Sequence, residues 1–228
     1  MVNDMRNNVI RIKDVTKGFK GQIILDNINL EVSKGDVIGI IGKNGCGKTT
    51  LLRIILGLIH IDKGEVMVFN EKILSGMLGN LPRNVSALIE TPKFLPQFSG
   101  LDNLAMIALI KSIVDKEHIK EVMTRVGLDP NSKIHVEKYS LGMRQRLGIA
   151  QAIMEDPEII LFDEPTNALD DEGVQMFFNI VKKFSKRGTT FIIVSHNKED
   201  ISYLCNKVYK ISNKTLNIEE GVNKEEIL

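Results

Sequence analysis

Apolar and polar positions alternate in part at the start of the chain and then give way to short, continuous apolar runs. Partial alternation is typical of half-buried strands, whereas a short apolar run bounded by glycines indicates a strand that is buried on both faces. These patterns predict strands at 9–15, 23–32, 37–41 and 64–69. Lys17–Gly21 predicts a turn between the first two strands, and Thr49–Leu58 has the pattern of a helix.

The middle of the chain has a helical pattern with few strand signals. Helices are predicted at 101–114, 116–126 and 141–154. We therefore interpret residues 88–156 as a mainly helical lobe inserted into an α/β lobe that comprises residues 1–87 and 157–228.

Strand patterns return after this lobe, at 158–162 and 189–195, with a helix predicted over Asp171–Arg187. Strands that alternate with helices favour a mostly parallel sheet with helices on its faces. We expect an α/β fold with a mostly parallel sheet core, antiparallel N-terminal strands and an inserted helical subdomain.

Composition narrows the classes of function. Of the 228 residues, 43% are hydrophobic and 26% are charged, and the formal net charge is +1, so no global field favours nucleic acid or anionic lipid. The two cysteines, Cys46 and Cys205, lack metal-like spacing and suggest a reducing compartment. The most apolar stretch, Leu104–Val114, is far shorter than the roughly 20 apolar residues of a membrane span. We therefore expect any membrane role to come through a partner.

The strongest local motif lies between the predicted strand at 37–41 and the helix that follows it. Its sequence is Gly42-Lys43-Asn44-Gly45-Cys46-Gly47-Lys48-Thr49, which fits G-x-x-x-x-G-K-[ST] in the required strand–helix context. Glycines let the backbone N–H groups converge on phosphate oxygens, and the helix N-terminus favours the same anion. Lys48 offers charge to the phosphates, and Thr49 offers a hydroxyl to Mg²⁺. The motif predicts a P-loop NTPase; a glycine-rich turn with a surface lysine is the plainer alternative.

Two carboxylates end the apolar run Ile159–Phe162. Strand C-termini face the ligand crevice in an open parallel sheet. Asp163 is therefore a candidate for holding Mg²⁺, and Glu164 is a candidate general base for the attacking water. The alternative is a pair of solvated acids before the turn at Pro165.

The order of these motifs resembles that of the ATPase subunits of ABC transporters. The segments that carry the resemblance are 34–52 around the phosphate loop, 163–170 at the acidic strand end, and Ser195-His196 after the apolar run 191–194. The resemblance covers about residues 9–212. In that family a histidine at the position of His196 contacts the γ-phosphate, and an aromatic residue at that of Phe19 stacks on adenine. Without the resemblance, His196 and Phe19 are an ordinary strand-end histidine and a turn aromatic.

Tyr139-Ser140-Leu141-Gly142-Met143 occupies the place of the family signature, whose usual form is Leu-Ser-Gly-Gly-Gln. Ser140 and Gly142 are kept, whereas Leu141 and Met143 depart from it. The resemblance implies that this segment meets the ATP held by the other subunit; an ordinary capped helix is the alternative. Glu90 stands where a glutamine usually reaches Mg²⁺ and the transmembrane partner, although it could equally be a solvated loop acid. Both departures resemble the ATPases of bacitracin-resistance and lantibiotic-immunity exporters.

The resemblance implies a set of roles for numbered residues. The implied nucleotide-binding residues are Phe19, Gly42, Lys43, Asn44, Gly45, Cys46, Gly47, Lys48, Thr49, Thr50, Ser140 and Gly142. The implied catalytic residues are Glu164, His196 and Lys48, and the implied Mg²⁺ ligands are Thr49, Glu90 and Asp163.

These roles imply an ATPase that uses ATP and Mg²⁺ and acts as a homodimer, or as a heterodimer with another ABC ATPase subunit. The resemblance places it at the cytoplasmic face of the membrane, attached to integral-membrane permease subunits, with export favoured and no direct contact with nucleic acid. A soluble ABC ATPase acting on nucleic acid, ribosomes or cluster assembly is the alternative. A P-loop kinase fits less well, because nothing then accounts for the signature segment.

Overall fold

The computed structural model describes residues 8–74 and 82–219. The strands are β1 (Asn8–Phe19), β2 (Gln22–Ser33), β3 (Val37–Gly42), β4 (Lys63–Val68), β5 (Glu71–Lys72), β6 (Val85–Leu88), β7 (Ile159–Asp163), β8 (Thr190–Val194), β9 (Lys207–Ser212) and β10 (Thr215–Ile218). The helices are α1 (Lys48–Ile55), α2 (Gly100–Ala108), α3 (Lys116–Arg125), α4 (Leu141–Ile153), α5 (Asp171–Ser185) and α6 (Lys198–Leu204), and Val136–Lys138 forms a 3₁₀ turn.

A six-stranded sheet forms the centre of the fold, in the order β10-β9-β3-β8-β7-β6. Its neighbours pair in parallel except for the edge strand β10, which is antiparallel to β9. Every residue of β7 and β8 is buried, as expected for strands covered on both faces. This confirms the expected α/β fold with a mostly parallel sheet core.

The residues of β7 alternate between two apolar cores. Ile160 and Phe162 belong to the core that also contains Leu147 of α4 and Phe177 of α5. Ile159 and Leu161 belong to the core beneath α1 and the N-terminal strands. The sheet is therefore the layer between two hydrophobic cores, and its carboxyl edge is held firmly from both sides.

The N-terminal strands form a second, antiparallel sheet in the order β2-β1-β4-β5. The predicted turn at Lys17–Gly21 is too long, because β1 continues to Phe19 and pairs with Gln22. Only Lys20 and Gly21 connect the strands, with φ of 48° and 80°. Positive φ at both residues is the geometry of a tight two-residue hairpin, which keeps the twist of the flanking strands.

Three α-helices, α2 to α4, occupy the middle of the chain. The predicted helix at 101–114 is too long, since α2 ends at Ala108. In the turn that follows α2, the Ser112 backbone N–H donates a hydrogen bond to the Ala108 carbonyl oxygen. Ser112 lies in the left-handed region at φ 54°, which does not continue the helix. These helices lie inside the range 88–156, but the exact bounds of the helical lobe stay a prediction. In the described ranges, no helix is long and apolar enough to span a bilayer.

Strand β3 approaches α6 closely at Gly39. A Cβ atom at this position would lie 2.5 Å from Ile201 Cγ2 and 3.0 Å from Cys205 Sγ. The absence of a side chain therefore sets the distance between the central sheet and α6.

We predict that Gly39→Ala lowers the free energy of unfolding by about 1–3 kcal/mol, because overpacking displaces α6. Urea unfolding measures the change. In a Gly39→Ala/Ile201→Ala double variant the closest clash, with Ile201 Cγ2, is removed, so the total loss should be smaller than the sum of the single losses. Additive losses, or no loss in Gly39→Ala, would contradict this packing.

Candidate functional site

The glycine-rich segment predicted to hold phosphate forms the loop between Gly42, the last residue of β3, and Lys48, the first residue of α1. Gly47 is the residue before the helix, in the left-handed region at φ 108°. A Cβ atom on Gly47 would also lie 2.8 Å from Leu25 Cδ2, so only glycine fits this turn. The loop therefore leads directly into a helix N-terminus, whose free backbone N–H groups attract anions.

Lys48 is buried at the base of this loop. Its Nζ donates hydrogen bonds to the carbonyl oxygens of Gly42 at 2.8 Å and Lys43 at 3.4 Å. The ammonium group thus lies inside the curve of the loop, where it can meet a negatively charged group bound by the same loop.

The acidic strand end lies beside the phosphate loop. Thr49 Oγ1 donates a hydrogen bond to Asp163 Oδ2 at 2.6 Å, although the two residues are 114 positions apart in the chain. Asp163 is 7% exposed. Burial raises the pKa of Asp163, and the nearby carboxylates of Glu164 and Glu90 raise it further, against the opposing hydrogen bond from Thr49 and the charge of Lys48. The buried carboxyl group therefore lies in a locally acidic environment.

Glu164 and His196 are brought together by the neighbouring strands β7 and β8. Glu164 Oε2 lies 2.8 Å from His196 Nδ1 and accepts a hydrogen bond from the His196 backbone N–H at 3.2 Å. Glu164 has φ 51°, a strained value for a residue with a side chain, and its backbone N–H donates to the Val194 carbonyl oxygen at 2.8 Å. The tightly fixed carboxylate and imidazole can orient a water molecule and share its proton.

These elements surround a cleft of about 530 Å³. The lining residues are Asn44, Gly45, Gly47, Lys48, Thr49, Thr50, Glu90, Thr91, Leu141, Gln145, Asp163, Glu164, Asn167 and Ala168. The predicted site residues in the described ranges that do not line it are Phe19, Gly42, Lys43, Cys46, Ser140, Gly142 and His196. Phe19 is half exposed next to the β1–β2 turn, with Lys17 Nζ 4.9 Å from the centre of its ring. Its role and the roles of the other predicted residues stay predictions.

Helix α4 starts at the signature segment and packs against the loop after Glu164. Ser140 Oγ accepts a hydrogen bond from the Met143 backbone N–H at 3.1 Å and so caps the helix. Gln145 Nε2 donates to the Pro165 carbonyl oxygen at 2.9 Å, and Arg146 Nη2 lies 2.9 Å from Asp170 Oδ1. These contacts fix the signature segment relative to the acidic strand end.

Sequence reasoning assigned no role to Gln145 or Arg146, which make two of these contacts. The available signal was a run of three long polar side chains, Arg144, Gln145 and Arg146, one turn into a helix that is mostly apolar afterwards. Sequence reasoning also missed Arg53, whose Nη2 lies 2.6 Å from Glu90 Oε1.

Comparison with known proteins agrees with this geometry. The family model described as ABC transporter matches residues 25–167. The uncharacterized ABC transporter ATP-binding protein YybJ of Bacillus subtilis (strain 168) is 41% identical over 94% of this chain and 97% of its own length. The bacitracin transport ATP-binding protein BcrA of Bacillus licheniformis is 38% identical over 88% of this chain and 65% of its own length.

The lantibiotic transport ATP-binding protein SrtF of Streptococcus pyogenes is 32% identical over 86% of this chain and 83% of its own length. Among solved structures, the dimeric post-hydrolysis state of the ATP-binding cassette MJ0796 bound to ADP and Pi has the same fold. Its TM-score is 0.83 over 94% of this chain and 99% of that one, at 24% identity. The family match and the identities, together with the phosphate loop beside an acidic strand end, show that this chain belongs to the ABC transporter family, among its ATP-binding proteins.

Proposed function

We propose that this ABC ATPase drives export through a separate membrane permease, and that it hydrolyses ATP at the cleft between the phosphate loop and the acidic strand end. The observation that carries the proposal is the meeting of three groups at one sheet edge. Lys48 lies within the loop, Thr49 contacts Asp163, and Glu164 contacts His196. The cleft therefore has places for a nucleotide phosphate and a metal, and its lining residue Glu164 pairs with His196 just outside it.

The residues present fit Mg²⁺, the cation that ABC ATPases use with ATP. Thr49 Oγ1 and Asp163 Oδ2 are hard oxygen donors in direct contact. The pKa of Asp163 is raised by burial first and then by the neighbouring carboxylates of Glu164 and Glu90, and a bound cation would offset both effects. Within residues 8–74 and 82–219, no group of three or more His, Cys, Asp or Glu side chains forms a metal cluster. That suits Mg²⁺, which usually combines one or two protein ligands with water and substrate phosphates. Glu90 as a further ligand stays a prediction.

When bound, Mg²⁺ neutralises the charge that develops on the transferred phosphoryl group. The phosphate loop and the N-terminus of α1 bind the triphosphate, and Lys48 contributes charge to its terminal phosphates. Glu164 accepts a proton from the attacking water, while His196 holds the Glu164 carboxylate in place. Hydrogen bonds hold these groups at the cleft before the nucleotide binds, and Lys48 exchanges its bond to the Gly42 carbonyl oxygen for the phosphates.

ABC ATPases dimerise and work with membrane permease subunits, and we propose that the second subunit is another copy of this chain or a close relative. Ser140 and the N-terminus of α4 then complete the site of the opposite subunit. ATP binds the closed pair better than the open pair, so it shifts the equilibrium toward closure. We propose that the dimer sits at the cytoplasmic face of the membrane through the permease.

The substrate class is proposed from the relatives. BcrA is named for bacitracin transport and SrtF for lantibiotic transport, and both align with most of this chain. We infer that the exported substrate is an antimicrobial peptide, a drug or a lipid-like compound, and the names of these relatives favour the peptide. Neither the reported relatives nor the described residues favour the alternative of an ATPase that acts on nucleic acid, ribosomes or cluster assembly. Co-expression with a candidate permease subunit, followed by a bacitracin and lantibiotic susceptibility assay, tests the export proposal; unchanged susceptibility would count against it.

We predict that Glu164→Gln retains ATP binding but lowers turnover at least about 100-fold, because the general base is lost. The variant should accumulate as an ATP-bound dimer in light scattering after size exclusion. Lys48→Ala is the control for loss of binding, because it should lose most of its affinity for a fluorescent ATP analogue. Full turnover in Glu164→Gln would contradict the assignment of the base.

We predict that Asp163→Asn stabilises the nucleotide-free protein at pH 7. Burial raises the folded-state pKa of Asp163, so the charged carboxylate costs stability at neutral pH. This cost shrinks as the pH falls through the folded pKa and is gone only below the pKa of the unfolded chain. In a chain of this size, each gain of about 1 kcal/mol in stability corresponds to a rise in Tm of about 2–4 °C. The gain should be smaller at pH 4 than at pH 7, because protonation of the wild-type carboxyl group removes the charge that is costly to bury.

Thermal melts at both pH values measure this effect, and the exposed Glu121→Gln of α3 is the control with the same charge change. The same Asp163→Asn variant should lose the added stability that Mg²⁺ with ATP gives the wild type. A lower Tm for Asp163→Asn at pH 7 would show that the carboxylate stabilises the fold and would contradict the prediction.

A further inference from the structure

Glu90 forms an ion pair that links the cleft to the far end of α1. The Nη2 atom of Arg53 lies 2.6 Å from Glu90 Oε1. Arg53 is in the last turn of α1, the helix that begins with Lys48 at the phosphate loop, and Glu90 lines the cleft two residues after β6 ends. The pair thus connects the helix below the phosphate loop to the segment that leads into the helical part of the chain.

The cleft lining carries more negative than positive side chains, which points to a function for the Arg53–Glu90 pair. Its lining contains three carboxylates, Glu90, Asp163 and Glu164, and a single cationic side chain, Lys48. A triphosphate is itself strongly anionic, so every unpaired carboxylate near it weakens binding through repulsion. Glu90 is the outermost of the three, with 63% of its side chain exposed. Because it is the carboxylate with an arginine partner, its charge is the one that the protein compensates directly.

The backbone at Glu90 points to the same role. Its φ of 61° lies in the left-handed region, which is unfavourable for a residue with a side chain. Such a conformation persists when the surroundings hold it. The Arg53 guanidinium binds the side chain of this residue and so opposes its movement into the cleft.

We propose that Arg53 is a positioning residue that holds Glu90 at the cleft edge and neutralises its charge, so that the nucleotide phosphates meet a paired carboxylate. This inference rests on the proposed function of the cleft. It predicts that Arg53 contributes to ATP affinity through Glu90 and not through direct contact. The effect of losing Arg53 must then depend on whether residue 90 carries a charge.

The test is a double-mutant cycle on binding of a fluorescent ATP analogue, measured in EDTA and again with Mg²⁺. Arg53→Gln should weaken binding in EDTA about threefold to fivefold, the size expected for a partly exposed ion pair. In a Glu90→Gln background the same replacement should have almost no effect. Arg53→Lys keeps the charge and should retain most of the affinity. Because the pair is partly exposed, the coupling should shrink at high salt.

Arg11→Gln is the matched control, since Arg11 lies in β1 and pairs with Glu31 outside the cleft lining. It removes the same charge and should leave ATP affinity unchanged. Thermal melts of each variant without nucleotide separate a loss of folding from a loss of binding.

Equal weakening by Arg53→Gln in the wild-type and Glu90→Gln backgrounds, or no weakening in either, would overturn the inference. Lys48→Ala distinguishes this outcome from a failure of the proposed function. If wild type binds the analogue and Lys48→Ala does not, the nucleotide site stands and the failure concerns Arg53 alone. If the two bind alike, the cleft is not the nucleotide site, and both proposals fall.

Discussion

Parallel pairing of β3, β8 and β7 is the constraint on which the candidate site depends. The three strands are neighbours in the sheet and run in one direction, so their carboxyl ends meet at one edge. The phosphate loop follows β3, the acidic pair ends β7, and His196 follows β8. Residues separated by more than a hundred positions thereby come within hydrogen-bond distance, as the contact between Thr49 and Asp163 demonstrates. The buried side chains of both cores stabilise this alignment from the two faces of the sheet.

This edge of the sheet contains a buried carboxyl group and a strained backbone conformation, both of which lower the stability of a fold. Asp163 is buried among other carboxylates, and Glu164 adopts a left-handed backbone conformation. Such features are tolerated where the surrounding fold holds them, and they cluster at functional sites. The rigid parallel sheet therefore tolerates these destabilising groups at its carboxyl edge, where they form a preorganised charged cleft.

Much of the fold and of the candidate site could be predicted from sequence, because the informative signals are local. The run Ile159–Phe162 followed by two acids, and the glycine-rich motif before Thr49, each reveal a strand end and its chemistry together. Features that depend on pairing between strands are harder to predict from local sequence. The predicted turn at Lys17–Gly21 starts too early and is too long, because β1 extends to Phe19 through its register with β2. The short strand β6, Val-Ser-Ala-Leu, has no clear pattern of its own and exists by pairing with β7.

The side-chain partners were harder still to predict, because nothing in the spacing of the residues announces them. Arg53 and Glu90 are 37 positions apart, yet they form an ion pair at the cleft edge.

The proposed nucleotide site is tested most directly by a crystal structure of the protein soaked with Mg²⁺ and a non-hydrolysable ATP analogue. We predict that Lys48 Nζ turns from the Gly42 carbonyl oxygen to the terminal phosphates, and that the metal binds near Thr49 and Asp163. A triphosphate bound elsewhere, with Lys48 still on Gly42, would contradict it.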